Sequence, residues 1–500
     1  MANVSANVIA YLTTWSSAFE QFYRPGVADY LKRFGKTTRA IQKNPKRKVL
    51  GSSMEVTVKN RKNRSSRLST DLMAPPPDPN PGRYTTYSVR FDHVTAASND
   101  FSALSIGFNT SWYDIKKKAD SNFKDNMGDF IRQDIEDGLE DVAEEFASSF
   151  HRNSTGLLGT ITSVKKNDSD LYDSASAAVV TQPTILAKVS PTAIAHLMDG
   201  DIVDLWDVTA GAYEMYNVLI VNVNPVDYTI VLGLSDKPNT TVADGSTDAT
   251  NFDLIRTLVL SEGTTCAIYL SGSKGVTCKG TLNNFFDITQ DYFSITAANR
   301  LLNDFRPLNP LRIDAAAGGS DVQLTEDHFR QAGEAVGWAN GSYLDADKRM
   351  IVMNRDQYRA VNLLQKDSGM TMLPALQSDI GNKMNKAFGF DGWTLHDPTL
   401  GSVALTVDDL AAYGVIDFLD MNTWEMVEPF PGGASFDFLP GSMAGIWNRK
   451  NYNATAITDY GAINNGRPSK EFEAQGEQLY AWINVGAKRN VRIQGLDSTL

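Results

Sequence analysis

Residues 59–91 read KNRKNRSSRLSTDLMAPPPDPNPGRYTTYSVRF. Five basic residues, Lys59, Arg61, Lys62, Arg64 and Arg67, precede a run that holds Pro75, Pro76, Pro77, Pro79 and Pro81. To either side, VLGSSMEVTVKN (49–60) and RYTTYSVRFDHV (83–94) alternate with period two, the pattern of half-buried strands. The spacing predicts a long hairpin whose connection spans 61–82. Compact domains seldom carry so long a structureless connection, and where they do it is functional or disordered. A two-stranded ribbon alone is marginal in water. The hairpin is therefore expected to need a partner surface.

Charge points the same way. The chain has 500 residues and a formal net charge of -12. Between Lys32 and Arg67 stand thirteen Lys or Arg and one acid, Glu55, which leaves 34 basic and 58 acidic residues elsewhere. A basic arm is joined to an acidic body, an asymmetry suited to self-association or to nucleic acid. The aromatic residues Tyr84, Tyr87 and Phe91 alternate at strand spacing instead of forming a platform for bases. Protein contact is favoured, with Lys59, Arg61, Lys62, Arg64, Arg67, Tyr84 and Tyr87 as its residues.

Length allows about three domains at roughly 150 residues each. With 42% hydrophobic and 21% charged residues, the composition is that of a globular protein. Cys266 and Cys278 allow one disulfide at most, so a reduced assembly environment fits. The opening MANVSANVIAYLTTWSS has no basic residue before Arg24 and reads poorly as a secretory leader. No apolar run reaches the ~18 residues of a membrane span. A soluble chain is expected.

Along the chain, residues 1–45 form an arm. NVIAYLTTWSSAFEQFY has helical spacing until Pro25-Gly26 breaks it. Its apolar side, with Trp15, Phe19, Phe22 and Tyr23, is too short to fold alone, and Arg33 follows. Residues 113–150 carry Phe123, Met127, Ile131, Ile135, Leu139, Val142, Phe146 and Phe150 at steps of four or three, which predicts one long amphipathic helix. At ~1.5 Å per residue it runs about 55 Å. Short strand-like stretches separated by Asn, Asp, Gly and Pro fill 176–275 and suggest an inserted β-barrel or sandwich. Beyond 280 the pattern is mixed. A helix is expected over 325–339, a strand over 349–354, a helix over 355–366 capped by Asn354, a strand over 414–421, and a closing strand pair around Gly486 in 477–495.

Residues that carry chemistry are scattered. No two of His93, His151, His196, His328 and His396 lie at metal-ligand spacing, and neither cysteine has a CxxC or HxxxH partner. The carboxylate clusters DSDLYD (168–173) and DGDIVD (199–204) lack the pattern of a calcium loop. No phosphate loop, dinucleotide fingerprint or nucleophile elbow occurs. No catalytic, cofactor or metal residues are assigned, and an enzyme is not expected.

The order of parts, carried by the hairpin 49–94, the helix 113–150 with the turn STGLLGT, the strand–helix RMIVMNRDQYRAVNLL and the strands AWINVGAKRNVRIQG, resembles the major capsid protein of tailed bacteriophages, the Hong Kong 97 fold. The resemblance implies an α+β chain with an N-terminal arm (1–45), an extended loop (46–107) and a peripheral domain with spine helix (108–160). It further implies an inserted small β-barrel-like domain (176–280), an axial domain with parts of the peripheral domain (281–440), and C-terminal closing strands (441–500). It implies hexamers and pentamers of an icosahedral head around double-stranded DNA held without sequence-specific binding. A portal protein at one vertex and a decoration protein are implied partners. With no long charged helical region in the chain, a separate scaffolding protein is expected. Assembly would take place in the bacterial host cytoplasm, the mature location being the virion capsid, with no membrane partner. Lysines in the hairpin have no identifiable asparagine partner, so crosslinking is not expected. Other readings are an encapsulin-like compartment, a nucleic-acid-binding module using the basic arm, and third an enzyme such as a β-rich carbohydrate hydrolase.

Overall fold

The computed structural model describes residues 35–43, 47, 49, 52–59, 84–91, 100–111, 144–152, 155–165, 184–208, 212–234, 266–271, 273–274, 279–302, 308–340, 349–368, 394–397, 401–429, 437–438, 446–447 and 471–497. In chain order these hold helix α1 (Lys36–Ala40) and strands β1 (Gln42–Lys43), β2 (Ser53–Lys59), β3 (Tyr84–Arg90) and β4 (Ser102–Ser111). Helix α2 covers 144–151. Next come β5 (Leu157–Lys165), β6 (Thr184–Val189), α3 (Pro191–Ile194), β7 (Ile202–Asp207), β8 (Ala212–Asn224), β9 (Thr229–Leu234) and β10 (Cys266–Leu270). They are followed by α4 (Leu282–Phe286), α5 (Ala297–Arg300), β11 (Leu311–Asp314), α6 (Glu326–Asn340), β12 (Arg349–Met353) and α7 (Arg355–Ser368). The chain closes with β13 (Thr394–Asp397), β14 (Gly401–Val407), β15 (Ile416–Asp420), β16 (Trp424–Val427), β17 (Asp437–Phe438), β18 (Ile446–Trp447), β19 (Glu471–Asn484) and β20 (Val491–Gln494). The class is α+β. Among the described residues no helix is long and apolar enough to cross a membrane.

The chain divides into two compact units: residues 1–54, 89–149 and 425–483 in the first, and 55–88, 150–424 and 484–500 in the second. In the first, β19 is the long central strand. It pairs antiparallel with β4 from Glu471 opposite Ser111 to Tyr480 opposite Ser102, and also meets β16, β17 and β18. At the edge β1 runs parallel to β16, with Gln42 opposite Glu425. The core of this unit is aromatic: Phe146 lies 4.9 Å from the rings of both Tyr480 and Trp482, and the Tyr480 hydroxyl is 2.8 Å from Ser149 Oγ. Phe146 is thus one of the predicted helix stripe residues and is buried as expected. Phe150, the last residue of that stripe, is buried too, and the stripe residues from Phe123 to Val142 lie outside the described residues.

The second unit contains a closed barrel in the order β10-β5-β6-β9-β8-β7 and a six-stranded sheet in the order β11-β20-β15-β12-β14-β13. Alternation sends Ile161, Ala187, Val189, Leu205, Ile220, Ile230 and Leu232 into the barrel, all at 1% exposure or less. Closure leaves no free edge, so the barrel satisfies its own backbone. Its first strand begins at Leu157, upstream of the expected start at 176, because the turn STGLLGT opens directly into the strand LLGTITSVK. Of the strand-like stretches expected over 176–275, residues 235–265 lie outside the described residues. Gly159 is required on β5: a Cβ there would collide with Ala193 of α3, which packs over the strand.

The open sheet mixes parallel pairs, β11 with β20 and β12 with β14, with antiparallel β12–β15, β15–β20 and β13–β14. Helices α6 and α7 share its core through Phe329, Ala332, Val336, Tyr358 and Val361 packed with Ile351, Phe418, Val491 and Ile493. Asn354 caps α7 as the sequence predicts, its Oδ1 accepting the N–H of Gln357 at 2.8 Å. Register sets Asp417 opposite Arg492. Their buried side chains join in a bidentate pair at 2.6 and 2.8 Å, with the guanidinium 4.4 Å over the ring of Phe286. The expected strand pair around Gly486 is corrected: β19 and β20 flank it but belong to different sheets. A short 3-10 turn (Ala487–Arg489) redirects the chain there, and a Cβ on Gly486 would stand 2.5 Å from Thr423 Cγ2.

Candidate functional site

β2 and β3 form a two-stranded sheet of their own and pair with no other strand among the described residues. Period-two alternation points Met54, Val56 and Val58 of β2 and Tyr87 and Val89 of β3 to one face, and all five are buried at 3% or less. This corrects the expectation that the ribbon finds its cover only on a partner: the inner face of the stem is covered by its own chain. Each such side chain contributes about 1.5–3 kcal/mol on burial. The outer face presents Glu55, Thr57, Thr86 and Tyr84, the last at 55% exposure.

Tyr87 is the anchor. Its hydroxyl donates to the backbone carbonyl of Asn484 at 3.0 Å, and its ring stacks on Phe293 at 5.5 Å and meets Tyr292 edge-on at 5.6 Å. One residue on, the Ser88 N–H donates to Ser294 Oγ at 2.9 Å. Tyr292 and Ile295 exchange both backbone hydrogen bonds, so Phe293 and Ser294 form a two-residue turn. Phe293 adopts φ 53 there, a left-handed conformation that costs a non-glycine residue about 1–3 kcal/mol. The aromatic packing on Tyr87 offsets it. Burial holds the Tyr292 phenol neutral, well above its ordinary range.

The seat under this turn is a polar network. Thr281 caps α4 by accepting from the Asn284 N–H, and Asn284 reaches Gly280 N and Asp291 O with its amide. Buried Arg300 donates to the carbonyls of Asn284, Phe285, Asp287 and Gln290 and to Asn309 Oδ1. Four of these are carbonyls at and beyond the C-terminal end of α4, where a cation is favoured. Burial draws Arg300 down to about 10, so it stays charged at neutral pH. On the Asn484 side, Asn484 Nδ2 and Asn490 Nδ2 both donate to Thr423 Oγ1, and Asn490 Oδ1 accepts from Trp424 Nε1 at 3.2 Å. Two asparagines flanking Gly486 thus fix the carbonyl that Tyr87 uses.

In the first unit the ribbon's exit is clamped as well. Asp100, 1% exposed, accepts the Arg90 N–H at 2.8 Å, and the Phe91 N–H donates to the Ser52 carbonyl. Arg47 of the basic arm binds Glu425 at 2.6 Å within its own chain.

The sequence-assigned residues fall into three groups. Tyr84 stands exposed at the start of β3, and Lys59 ends β2. Tyr87 is placed inside its own chain, contrary to the contact role expected of it, because its ring fills the Tyr292–Phe293 seat. Arg61, Lys62, Arg64, Arg67, Trp15, Phe19, Phe22, Tyr23 and Arg33 lie outside the described residues. Sequence reasoning missed Asn484, Asn490, Asp100 and Arg300. The pair of asparagines around Gly486 was the one available signal, since such residues satisfy local backbone groups. Among the described residues no three His, Cys, Asp or Glu are placed to hold a metal ion.

No protein-family model and no curated protein matches the chain. Solved structures do. Several are capsids, and one that covers 42% of this chain is an encapsulin complex from Synechococcus elongatus. The capsid asymmetric unit of cyanophage A-1(L) matches with a TM-score of 0.40 and 9% identity, covering 93% of each chain. The capsid of a native GTA particle matches at 0.36 and 9%, covering 92% of this chain and 89% of that one. The satellite phage P4 procapsid, solved with its size determination protein, matches at 0.33 and 7%, covering 95% and 99%. None of the three reaches a TM-score of 0.5, so the functional reading rests on the chain's own features.

Proposed function

We propose that this chain is the major capsid protein of a bacteriophage, with a Hong Kong 97-like fold, and that it acts as a structural subunit without catalysis. Copies join as hexamers and pentamers of an icosahedral head around double-stranded DNA. The observation that carries the reading is the ribbon β2–β3, a strand pair outside any larger sheet among the described residues whose base is anchored by Tyr87. Such rigid anchoring makes sense for a lever that delivers residues 60–83 to something beyond its own subunit. Five basic residues at 59–67 and a body of net negative charge supply the attraction between copies. Many weak, repeated contacts then close together in a symmetric shell.

The arm, with Trp15, Phe19, Phe22, Tyr23 and Arg33, is the second contact between copies in this reading. A portal protein, a separate scaffolding protein and a decoration protein are its further partners, and the shell is assembled in the host cytoplasm. The test is electron microscopy of the purified chain, expressed alone and with its neighbouring reading frames. Uniform closed shells are expected. A stable monomer under every condition overturns the proposal, and strongly salt-dependent DNA affinity of that monomer turns the reading toward the basic arm as a binding module. Charge reversal at Arg61, Lys62 and Arg64 is expected to abolish shells while circular dichroism and Tm stay unchanged.

A further inference from the structure

Two of the chain's five histidines are buried in one place. His151, at the end of α2, is 1% exposed, and its Nε2 stands 3.4 Å from Oδ2 of Asp408, itself 4% exposed and following β14. His196, 6% exposed, belongs to the barrel, in the turn after α3, where its N–H donates to the Ala193 carbonyl. The charged groups near enough to act on buried His196 are Arg152 and His151 at the α2 end and Asp408 after β14. On its own segment, Asp199 and Asp201 each bind a backbone N–H, of Val223 and Met198. The cluster therefore lies where the barrel, the end of α2 and the open sheet of the second unit come together. The His151 carbonyl further accepts from Asn283 Nδ2, and the Asp408 N–H donates to the Met353 carbonyl, which ties the cluster to α4 and β12.

A second tie joins the barrel to the same seat. Tyr228, in the turn between β8 and β9, donates to Asp356 Oδ2 of α7 at 2.6 Å and meets Tyr413 edge-on at 6.0 Å. Tyr413 and Asp408 lie on one segment, 408–415, and Asp409 of that segment pairs with Arg355 at 2.7 Å. The barrel thus meets α7 through a tie of phenol and carboxylate, Tyr228 to Asp356, and meets the segment 408–415 through the Tyr228–Tyr413 ring contact and through the histidine cluster around Asp408.

We propose that the His151–His196–Arg152–Asp408 cluster is an acid-sensitive joint, at which the barrel loosens from the rest of its unit as pH falls while the Tyr228–Asp356 tie persists as a pivot. A proton added to His196 places a second positive charge beside Arg152 in a site closed to water, which favours the open arrangement where water reaches the ring. Burial first, then Arg152 and His151, already hold His196 well below the ordinary imidazole value. The sign follows. A base whose closed-state value is depressed contributes full closure above the ordinary value of about 6.5, and closure is lost as pH falls below that value toward the depressed one. Each unit crossed in that window shifts the opening equilibrium about tenfold. The inference stands independently of the shell proposal.

The test is hydrogen–deuterium exchange of the full chain at pH 7.5 and 5.5, corrected for the intrinsic pH dependence of exchange, on peptides covering 190–201 and 408–415. Protection in both is expected to be about tenfold lower at pH 5.5. His196→Gln, which keeps a polar side chain but takes no proton, is expected to give the same protection at both pH values. Arg152→Gln is expected to shrink the acid loss by relieving His196. A pH-independent profile in the natural protein overturns the proposal, as does a tenfold acid loss that survives in His196→Gln. Should His196→Gln fail to fold by circular dichroism, an undiminished acid loss in Arg152→Gln overturns it instead.

Discussion

The barrel and the ribbon use the same strand chemistry to opposite ends. In the barrel, six antiparallel strands close on themselves and the alternating residues of every strand meet inside, so each strand is held by two neighbours and a shared core. The ribbon has two strands, one buried face and an anchor of a single tyrosine supported by a strained turn. The barrel is stabilised by closure. Among the described residues the ribbon is stabilised where its buried face and Tyr87 meet the rest of its own chain.

The contrast breaks hardest in the core of the barrel. Ile230→Ala removes a fully buried side chain among Ile161, Ile220 and Leu232, and a loss of about 2–5 kcal/mol is expected. Urea unfolding followed by tryptophan fluorescence measures it through the midpoint. Of similar size is Arg492→Met in the open sheet, which strands Asp417 without its partner and is expected to cost about 3–5 kcal/mol at neutral pH. The double variant Arg492→Met with Asp417→Leu should recover much of that loss, because an apolar pair of like volume needs no desolvation. Failure of the rescue would mean that Asn283 and Phe286, which Arg492 also touches, carry the larger share.

Tyr87→Phe probes the ribbon at smaller scale. The ring and its stacking on Phe293 stay, and one buried hydrogen bond to the Asn484 carbonyl goes, so about 0.5–1.5 kcal/mol is expected. Amide exchange over 84–91 should rise while exchange in β5–β10 is unmoved. Equal change in both regions would make the anchor part of the unit's global stability and remove the distinction drawn between them.

The strand pattern was legible where alternation was strict. MEVTV and TTYSV gave β2 and β3, and IVM with its following asparagine gave β12 and the cap of α7. The barrel was legible as a cluster of short strands but not in its extent, since β5 begins inside STGLLGT, which reads as the turn that ends the helix. Alternation tells which residues face inward; it does not tell what lies behind them. Tyr87 was read as a contact for a neighbour because nothing local announces Phe293 or Asn484 across the chain. The same holds for Arg300, whose acceptors are backbone carbonyls and leave no trace in residue identity. Sequence spacing does not pair His151 with His196, yet the fold buries both within electrostatic reach of Asp408.

The smallest expected effect isolates the outer face of the ribbon. Tyr84 and Tyr87 lie on one strand three residues apart, one 55% exposed and the other 2%. Three steps along a strand reverse the side-chain direction, so the two tyrosines face opposite sides of the ribbon. Tyr84→Ser is therefore expected to change the stability of the isolated chain by no more than about 0.5 kcal/mol, the range of surface substitutions. In the proposed shell the same residue meets another copy, where a tyrosine contributes large, rigid contact area. Assembly yield by electron microscopy should then fall while the urea midpoint holds. A variant that loses stability without assembling differently would place Tyr84 with Tyr87 in the anchor, and would confine the contact between copies to the basic residues beyond it.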